Sequence, residues 1–132
     1  MSWDIFVADI PVEAQTLDDI PGDFVPGTIG SRSELIAKMK EVVSFADFSN
    51  PAWGTIEGEG FSIDVNLGSD EAVESFAFHV SGDDLAAGVV SEILLHLNLR
   101  ALDSGTGDIF DHADAAAGLQ RWRAYANKVL NR

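Results

Sequence analysis

The chain has 132 residues, 46% of them hydrophobic, and its 22 acidic residues against 8 basic ones give a formal net charge of −14. A chain of this length fits one domain, 1–132, which buries about two-thirds of the surface that its unfolded form exposes. The excess of carboxylates argues against nucleic acid and anionic membranes as partners, because both need a basic surface. It favours a basic protein partner.

The first predicted element is a strand over Trp3–Ala8, rich in aromatic and β-branched residues. Ile10-Pro11 ends it, because proline has no N–H for the strand ladder. The stretch 11–30 is rich in proline and glycine and is predicted to be a long loop. A Ser-x-x-Glu capping box, Ser31–Glu34, then starts a helix that is predicted to run to about Ser44.

The central stretch, Trp53–Val80, alternates apolar and polar residues from Phe61 onwards, as strands with one buried and one wet face do. We predict three consecutive antiparallel strands here, with Gly58-Glu59 as a two-residue turn in which Gly58 supplies the positive φ. The residues predicted to face the core are Phe61, Ile63, Val65, Leu67, Phe76, Phe78 and Val80. Those predicted for the other face are Ser62, Asp64, Asn66, Ser75, Ala77 and His79.

A second cap, Ser81–Asp84, is predicted to start a helix that runs to about Leu97. Its apolar residues are too many for a narrow stripe, so it should be the most buried helix. A further strand over Leu99–Leu102 and a short return over Asp108–Phe110 follow, and Asp111 is predicted to cap a last helix.

This order, β-α-β-β-β-α-β-α, predicts an α+β fold with an antiparallel sheet of four to five strands and three helices mainly on one face. Strands that follow one another without a helix between them favour antiparallel pairing. A split β-α-β arrangement of the ferredoxin type is the alternative topology.

The charges are distributed unevenly along the chain. Between Glu41 and Leu99 there are eleven acidic residues and no Lys or Arg, whereas Ala115–Arg132 carries four basic residues and no carboxylate. We expect a solvated acidic surface with a basic last helix anchored on it.

The sequence contains no cysteine, which excludes disulfide and thiolate chemistry and makes a cytoplasmic location the expectation. The opening Met1–Val7 lacks the basic and apolar regions of a signal peptide. No apolar run approaches the roughly 18 residues of a membrane span. No cofactor motif is present, and none is expected.

The candidate binding residues begin with His79 and Asp64, on the polar face of strands that should pair. If their register brings them opposite each other, they could act as acid and base or begin a metal site. Nothing supplies a nucleophile or a third ligand at a recognisable spacing, so no catalytic or metal-binding residue is assigned. Asn66 on the same face and the nearby Trp53 join them as candidate binding residues, although tryptophan more often serves packing.

Two further features lie on the helices. The polar arc of the second helix runs through Asp84, Gly88, Ser91 and Glu92, so Leu95 should point outward and could contact a partner or a second copy of the chain. His112 lies beside Asp108, Asp111 and Asp114 at the start of the last helix. These acids could hold a cation, but capping and the helix dipole explain them.

Three segments carry a resemblance: Trp-Asp-Ile-Phe-Val-x-Asp-Ile-Pro from Trp3, Phe-Ala-Asp-Phe-x-x-Pro-x-Trp-Gly from Phe45, and Ala-Leu-Asp-Ser-Gly-Thr-Gly-Asp-Ile-Phe-Asp from Ala101. They resemble a group of small, acidic, uncharacterised bacterial proteins over nearly the whole chain. The resemblance implies no activity and no functional residues. Size, acidity and α+β layout are also similar to immunity proteins that neutralise bacterial toxins.

The first functional hypothesis is a non-enzymatic, acidic protein-binding domain of the immunity type that docks a basic partner. The alternative is a small-molecule-binding protein or hydrolase with a pocket between the polar sheet face (Asp64, Asn66, His79) and the loop 11–30. A third hypothesis is a homo-oligomer that associates through apolar spots such as Leu95.

Overall fold

A computed structural model describes residues 3–11, 14, 17–20, 27–58, 60–82 and 84–129. These ranges form an α+β fold, as predicted. The strands are β1 (Trp3–Ala8), β2 (Gly30–Ser31), β3 (Trp53–Gly58), β4 (Phe61–Asn66), β5 (Ala72–Val73), β6 (Ser75–Gly82), β7 (Arg100–Asp103) and β8 (Asp108–Ile109). The helices are α1 (Arg32–Val42), α2 (Asp84–Leu97) and α3 (Ala116–Val129), with a 3₁₀ turn at Leu17–Asp19.

Six of the strands form one sheet in the order β3-β4-β6-β1-β7-β8, and β2 and β5 form a separate two-stranded ribbon. Every neighbouring pair is antiparallel. The predicted meander of β3, β4 and β6 is present, and β1 extends it by pairing with β6 on one side and β7 on the other. Since β1 and β3 run in opposite directions, the sheet does not have the ferredoxin-type split arrangement.

The inner face of the sheet carries the core, and α2 packs on it against β4 and β6. The buried residues include all those predicted to face inward: Phe61, Ile63, Val65, Leu67, Phe76, Phe78 and Val80. Helix α2 is the most buried of the three helices, as expected, with eight buried residues along its length. Trp122 of α3 is 1% exposed and packs against Phe45.

Helix α3 crosses α2 so closely that the two backbones touch. A Cβ atom at Gly88 would overlap the carbonyl group of Gly118, and one at Gly118 would overlap the carbonyl oxygen of Asp84. This packing buries part of the polar arc of α2, because α3 covers Gly88 and the fully enclosed Ser91.

Ion pairs border this helix contact. Arg123 Nη2 lies 2.9 Å from Glu92 Oε2, and the guanidinium of Arg121 pairs with the carboxylate of Asp84. The expectation that a basic last helix is anchored on acidic residues is therefore confirmed for these two pairs.

Local signals explain where several elements begin. Ser31 is the N-cap of α1, and its Oγ accepts from the Glu34 N–H at 3.1 Å, as the capping box predicts. Helix α3 begins at Ala116, later than predicted, because the Asp111 carboxylate accepts from the N–H of Ala113 and closes a turn ahead of the helix.

The β3–β4 turn also differs from the prediction. Gly60 has the positive φ, 84°, and Gly58 remains in β3, where it pairs with Phe61. Gly58 is needed for a different reason, since a Cβ there would collide with the Phe61 ring. Glu59, the other predicted turn residue, lies outside the described residues.

Of the predicted loop 11–30, residues 12, 13, 15, 16 and 21–26 lie outside the described residues. The Arg100 guanidinium donates to the carbonyl oxygens of Pro11 and Ala14 and so fastens this part of the loop to β7. Within the described ranges, no helix has the length and apolar character needed to cross a membrane.

Candidate functional site

The outer face of the sheet, opposite the helix-covered core, is the most extensive candidate site. Because side chains alternate along each strand, the residues between the buried ones share this face. We define the outer face as Asp4, Phe6 and Ala8 of β1, Trp53, Thr55 and Glu57 of β3, Ser62, Asp64 and Asn66 of β4, Ser75, Ala77, His79 and Ser81 of β6, Arg100 and Leu102 of β7, and Ile109 of β8.

A mainly apolar row crosses the outer face from one edge of the sheet to the other. Successive Cα partners in this row are Trp53, Asn66, Ala77, Phe6, Leu102 and Ile109. Phe6 is 47% exposed and Trp53 is 42% exposed, whereas Ile5 and Val7, the neighbours of Phe6 along β1, are fully buried. The strand therefore places a large aromatic side chain on the side of the sheet that lies away from the core.

A polar row runs beside the apolar one. Its Cα partners are Thr55, Asp64, His79 and Asp4 in succession. The register of β4 and β6 brings Asp64 opposite His79, the condition on which the hypothesis of a His–Asp pair depends. On its other side His79 meets Asp4, and its Nδ1 lies 2.8 Å from Asp4 Oδ1. Asp4 is not among the predicted site residues, and its only local signal is its place in the alternation of β1.

The two rows are joined by an aromatic contact. The rings of Trp53 and His79 are stacked, with 5.5 Å between their centroids and 18° between their planes. Trp53, Asn66, Asp64 and His79 thus come together on the outer face. Leu95 does not join them: it is 48% exposed on α2, the helix that covers the inner face.

The charge of the outer face is negative. Asp4, Glu57 and Asp64 contribute carboxylates, and Arg100 is its single Lys or Arg residue by the definition above. The guanidinium of Arg100 is already bound to the carbonyl oxygens of Pro11 and Ala14. The outer face therefore presents exposed aromatic side chains among carboxylates.

A cleft of about 820 Å³ is the second candidate site. It lies between the β7–β8 hairpin and the start of α3, and its lining includes Trp3, Phe110 and His112. Neither the predicted polar-face residues Asp64, Asn66 and His79 nor any of the described residues of 11–30 line it.

His112 is the most distinctive polar group of the cleft. Its Nδ1 lies 2.6 Å from Oγ of the fully buried Ser91. Burial lowers the pKa of His112 from the ordinary value of 6.5, and the nearby Asp111 carboxylate opposes this in part. Within the described ranges, no group of three or more His, Cys, Asp or Glu residues is arranged to hold a metal ion. Of the acids around His112, Asp111 closes the turn ahead of α3, and Asp108 and Asp114 add negative charge.

Comparison with known proteins identifies no relative of this chain. No family model, no curated protein and no solved structure matches it. The geometry and charge of the outer face and of the cleft are therefore the basis for a functional assignment.

Proposed function

We propose that this chain is a non-enzymatic protein-binding domain that docks a basic partner on the outer face of its sheet. One observation supports this most strongly: Phe6 and Trp53 are nearly half exposed in a row that crosses the whole sheet. Large aromatic side chains in contact with water are costly to leave exposed, and they are enriched at the centres of protein interfaces.

The negative charge of the outer face supports a basic partner. The carboxylates Asp4, Glu57 and Asp64 stand on the same face as the aromatic row, and the whole chain has a net charge of −14. A second copy of the chain would be repelled, whereas a basic surface would be steered towards the outer face and would neutralise it on contact. Contacts with the apolar row would provide most of the affinity. The carboxylates would raise the association rate and favour basic partners over acidic ones.

The outer face has the footprint of a small interface. Six strands at a spacing of about 4.8 Å make it about 24 Å wide, and strands of six residues make its central part about 20 Å long. Because carboxylates stand on this face, we expect the binding of a basic partner to depend on salt.

Catalysis on the outer face has less support. His79 has carboxylates on both sides, which suits an acid–base role, but an enzyme needs a reacting group and a site that excludes water. Phe6 and Trp53 are nearly half exposed, so the outer face does not exclude water from its aromatic row. A toxin that the chain neutralises is one basic partner consistent with the resemblance to immunity proteins, and a toxin gene beside the gene for this chain would support it.

Site-directed photo-crosslinking tests the proposal. A benzoylphenylalanine at position 6 is expected to capture a basic protein in cells, while the same group at position 95, on α2, does not. The captured protein, once purified, should bind the wild type and the equally exposed control Leu95→Ser. It should bind Phe6→Ser/Trp53→Ser at least about tenfold more weakly, because the variant lacks both aromatic anchors.

Binding should also weaken steeply towards about 0.5 M salt, where the Debye length falls to about 4 Å. Equal binding of the captured protein by the outer-face variant and the wild type would refute the proposal. Capture from position 95 and not from position 6 would show that the partner binds on the side of the sheet that the helices cover.

A further inference from the structure

The cleft beside β8 has the size and the lining of a small-molecule site. Its volume of about 820 Å³ falls within the range of ligand pockets, about 300 to 1,000 Å³. It does not involve the aromatic side chains Phe6 and Trp53, on which the proposed docking of a protein depends. The cleft shares Arg100 and Ile109 with the outer face, but its aromatic wall and its carboxylates are separate from the residues on which that docking depends.

Aromatic rings form one wall of the cleft. The rings of Trp3 and Phe110 are stacked with 6.0 Å between centroids, and the His112 ring meets Phe110 edge-on at 5.3 Å. The Trp3 indole N–H donates to Asp103 Oδ1 at 2.6 Å, and the same oxygen accepts from the Gly105 N–H. These hydrogen bonds fix the indole, so the wall is formed before any ligand arrives.

His112 contributes a neutral ring to this wall. The Ser91 hydroxyl is fully buried and makes no other hydrogen bond within the described part of the chain. If Nδ1 carried the proton, the hydroxyl hydrogen of Ser91 would be left without an acceptor, which is costly in a buried position. Ser91 therefore donates to Nδ1, and the proton of the neutral imidazole is on Nε2.

The charge of the lining is negative. Among the described residues, four carboxylates line the cleft, those of Asp103, Asp108, Asp111 and Asp114, against the single guanidinium of Arg100. With His112 neutral, four negative charges and one positive charge leave a formal charge of −3. The side chains of Asp108 and Asp114 make no hydrogen bond or ion pair with any other described residue. They remain available to a ligand.

We propose that this cleft binds a small organic cation, an ammonium or alkylated ammonium group carried on a compact apolar body. Aromatic rings attract such a cation electrostatically, and carboxylates at the rim compensate its charge. A bare metal ion is a poorer match, because the described residues place no three ligating side chains around one point. An anionic ligand would meet the excess of carboxylates.

Choline and its uncharged isostere 3,3-dimethylbutan-1-ol are matched probes of this proposal, with calcium chloride as a third arm. The indole N–H resonance of Trp3 in a ¹H–¹⁵N spectrum reports occupancy of the cleft. Choline is expected to shift this resonance saturably, with a dissociation constant at least about tenfold lower than that of the isostere, because only choline makes the cation–aromatic and charge contacts. Equal binding of the two probes, or no shift with choline, would overturn the proposal.

The rim carboxylates provide the second test. Asp108→Asn/Asp114→Asn keeps the shape of both side chains and is expected to weaken choline binding about fivefold or more while leaving the isostere unaffected. Asp70→Asn/Glu74→Gln, which removes two exposed carboxylates outside the cleft, is the matched control and should bind choline as the wild type does. An unchanged affinity in the rim variant would contradict the proposal. So would calcium chloride, at equal ionic strength, shifting the Trp3 resonance as choline does.

Discussion

The indole ring of Trp53 lies on the imidazole ring of His79, with 5.5 Å between the two centroids. Trp53 belongs to the edge strand β3 and reaches His79 of β6 across the intervening β4. The opposite side of His79 is fixed by Asp4 at 2.8 Å. An exposed aromatic side chain is thereby held in one orientation, which lowers the entropy that a partner would lose on contact with it.

Exchange of His79 for Ala is therefore expected to free Trp53. The ¹⁵N relaxation of the Trp53 indole should report faster internal motion, while the free energy of unfolding should change by less than about 1 kcal/mol because the contact is at the surface. Ser81→Ala, on the same face of β6, is the control and should leave Trp53 ordered. An unchanged indole relaxation in His79→Ala would show that other contacts hold the ring.

Phe6 and Ile5 are neighbours on β1 that test which face of the sheet carries the core. Ile5→Ala is expected to lower the free energy of unfolding by about 2–5 kcal/mol, because it leaves a cavity under a fully buried side chain. Phe6→Ala should change it by less than about 1 kcal/mol, since the ring is 47% exposed. Urea unfolding measures both. An equal loss of unfolding free energy in the two variants would mean that Phe6 is also buried.

The contact of Gly88 with Gly118 predicts an unusual effect of alanine. Alanine favours a helix by about 1 kcal/mol over glycine, but a Cβ at either position would overlap the backbone of the other helix. Gly88→Ala and Gly118→Ala are therefore each expected to destabilise the fold by about 1–3 kcal/mol.

Ala117→Gly, at an exposed position of α3, measures the contribution of helix propensity alone to the free energy of unfolding. Thermal unfolding of the three variants gives the comparison. Stabilisation by either alanine would contradict the close approach of the helices.

His112 predicts how stability depends on pH. Its pKa in the folded chain is below the ordinary value of 6.5, so between the two values the unfolded chain binds more protons than the folded one. Stability is therefore expected to fall as the pH is lowered through 6.5 towards the folded pKa, and the fall should level off below it. Denaturant unfolding at a series of pH values should show this slope in the wild type and a smaller one in His112→Asn. The same slope in both would exclude His112 as its source.

The Glu71 carboxylate lies beside the start of α1 and predicts a second dependence of stability on pH, in the acidic range. Hydrogen bonds from the Ser33 hydroxyl and N–H lower the pKa of its carboxyl group below 4.5. Stability from this group is present above 4.5 and is lost as the pH falls through the lowered value. Ser33→Ala should move the pKa of Glu71 towards 4.5, as measured by NMR titration of its carboxyl carbon. An unchanged pKa of Glu71 in Ser33→Ala would show that the Ser33 hydroxyl does not lower it.

Local sequence patterns are sufficient to predict that Asp64 and His79 share the outer face. Alternation along β4 and β6 placed Asp64 and His79 on one face, and their nearness in the chain brought them into register. Asp4 could not be found in this way, because it is 75 residues from His79 and its position depends on the insertion of β1 beside β6. Long-range register of this kind has no local signal in a single sequence.

The cleft was missed for a related reason. Its polar contacts join Trp3 to Asp103, 100 residues away, and Ser91 to His112. Ser91 looks like part of a solvated arc when α2 is considered alone, and only the packing of α3 buries it. His112 was noticed among its acidic neighbours, but its burial could not be predicted from the segment around it.

The position of β1 between β6 and β7 constrains how the chain can acquire its structure during synthesis. Strand β1 forms its ladder with residues 75–80 of β6 and residues 100–103 of β7. Ile5 and Val7 therefore cannot pair with Phe78 and Phe76, their partners on β6, until these residues have left the ribosome. Pairing over such separations slows folding, and an apolar strand without a partner is prone to aggregate. The acidic residues around β1 oppose aggregation by keeping nascent chains apart.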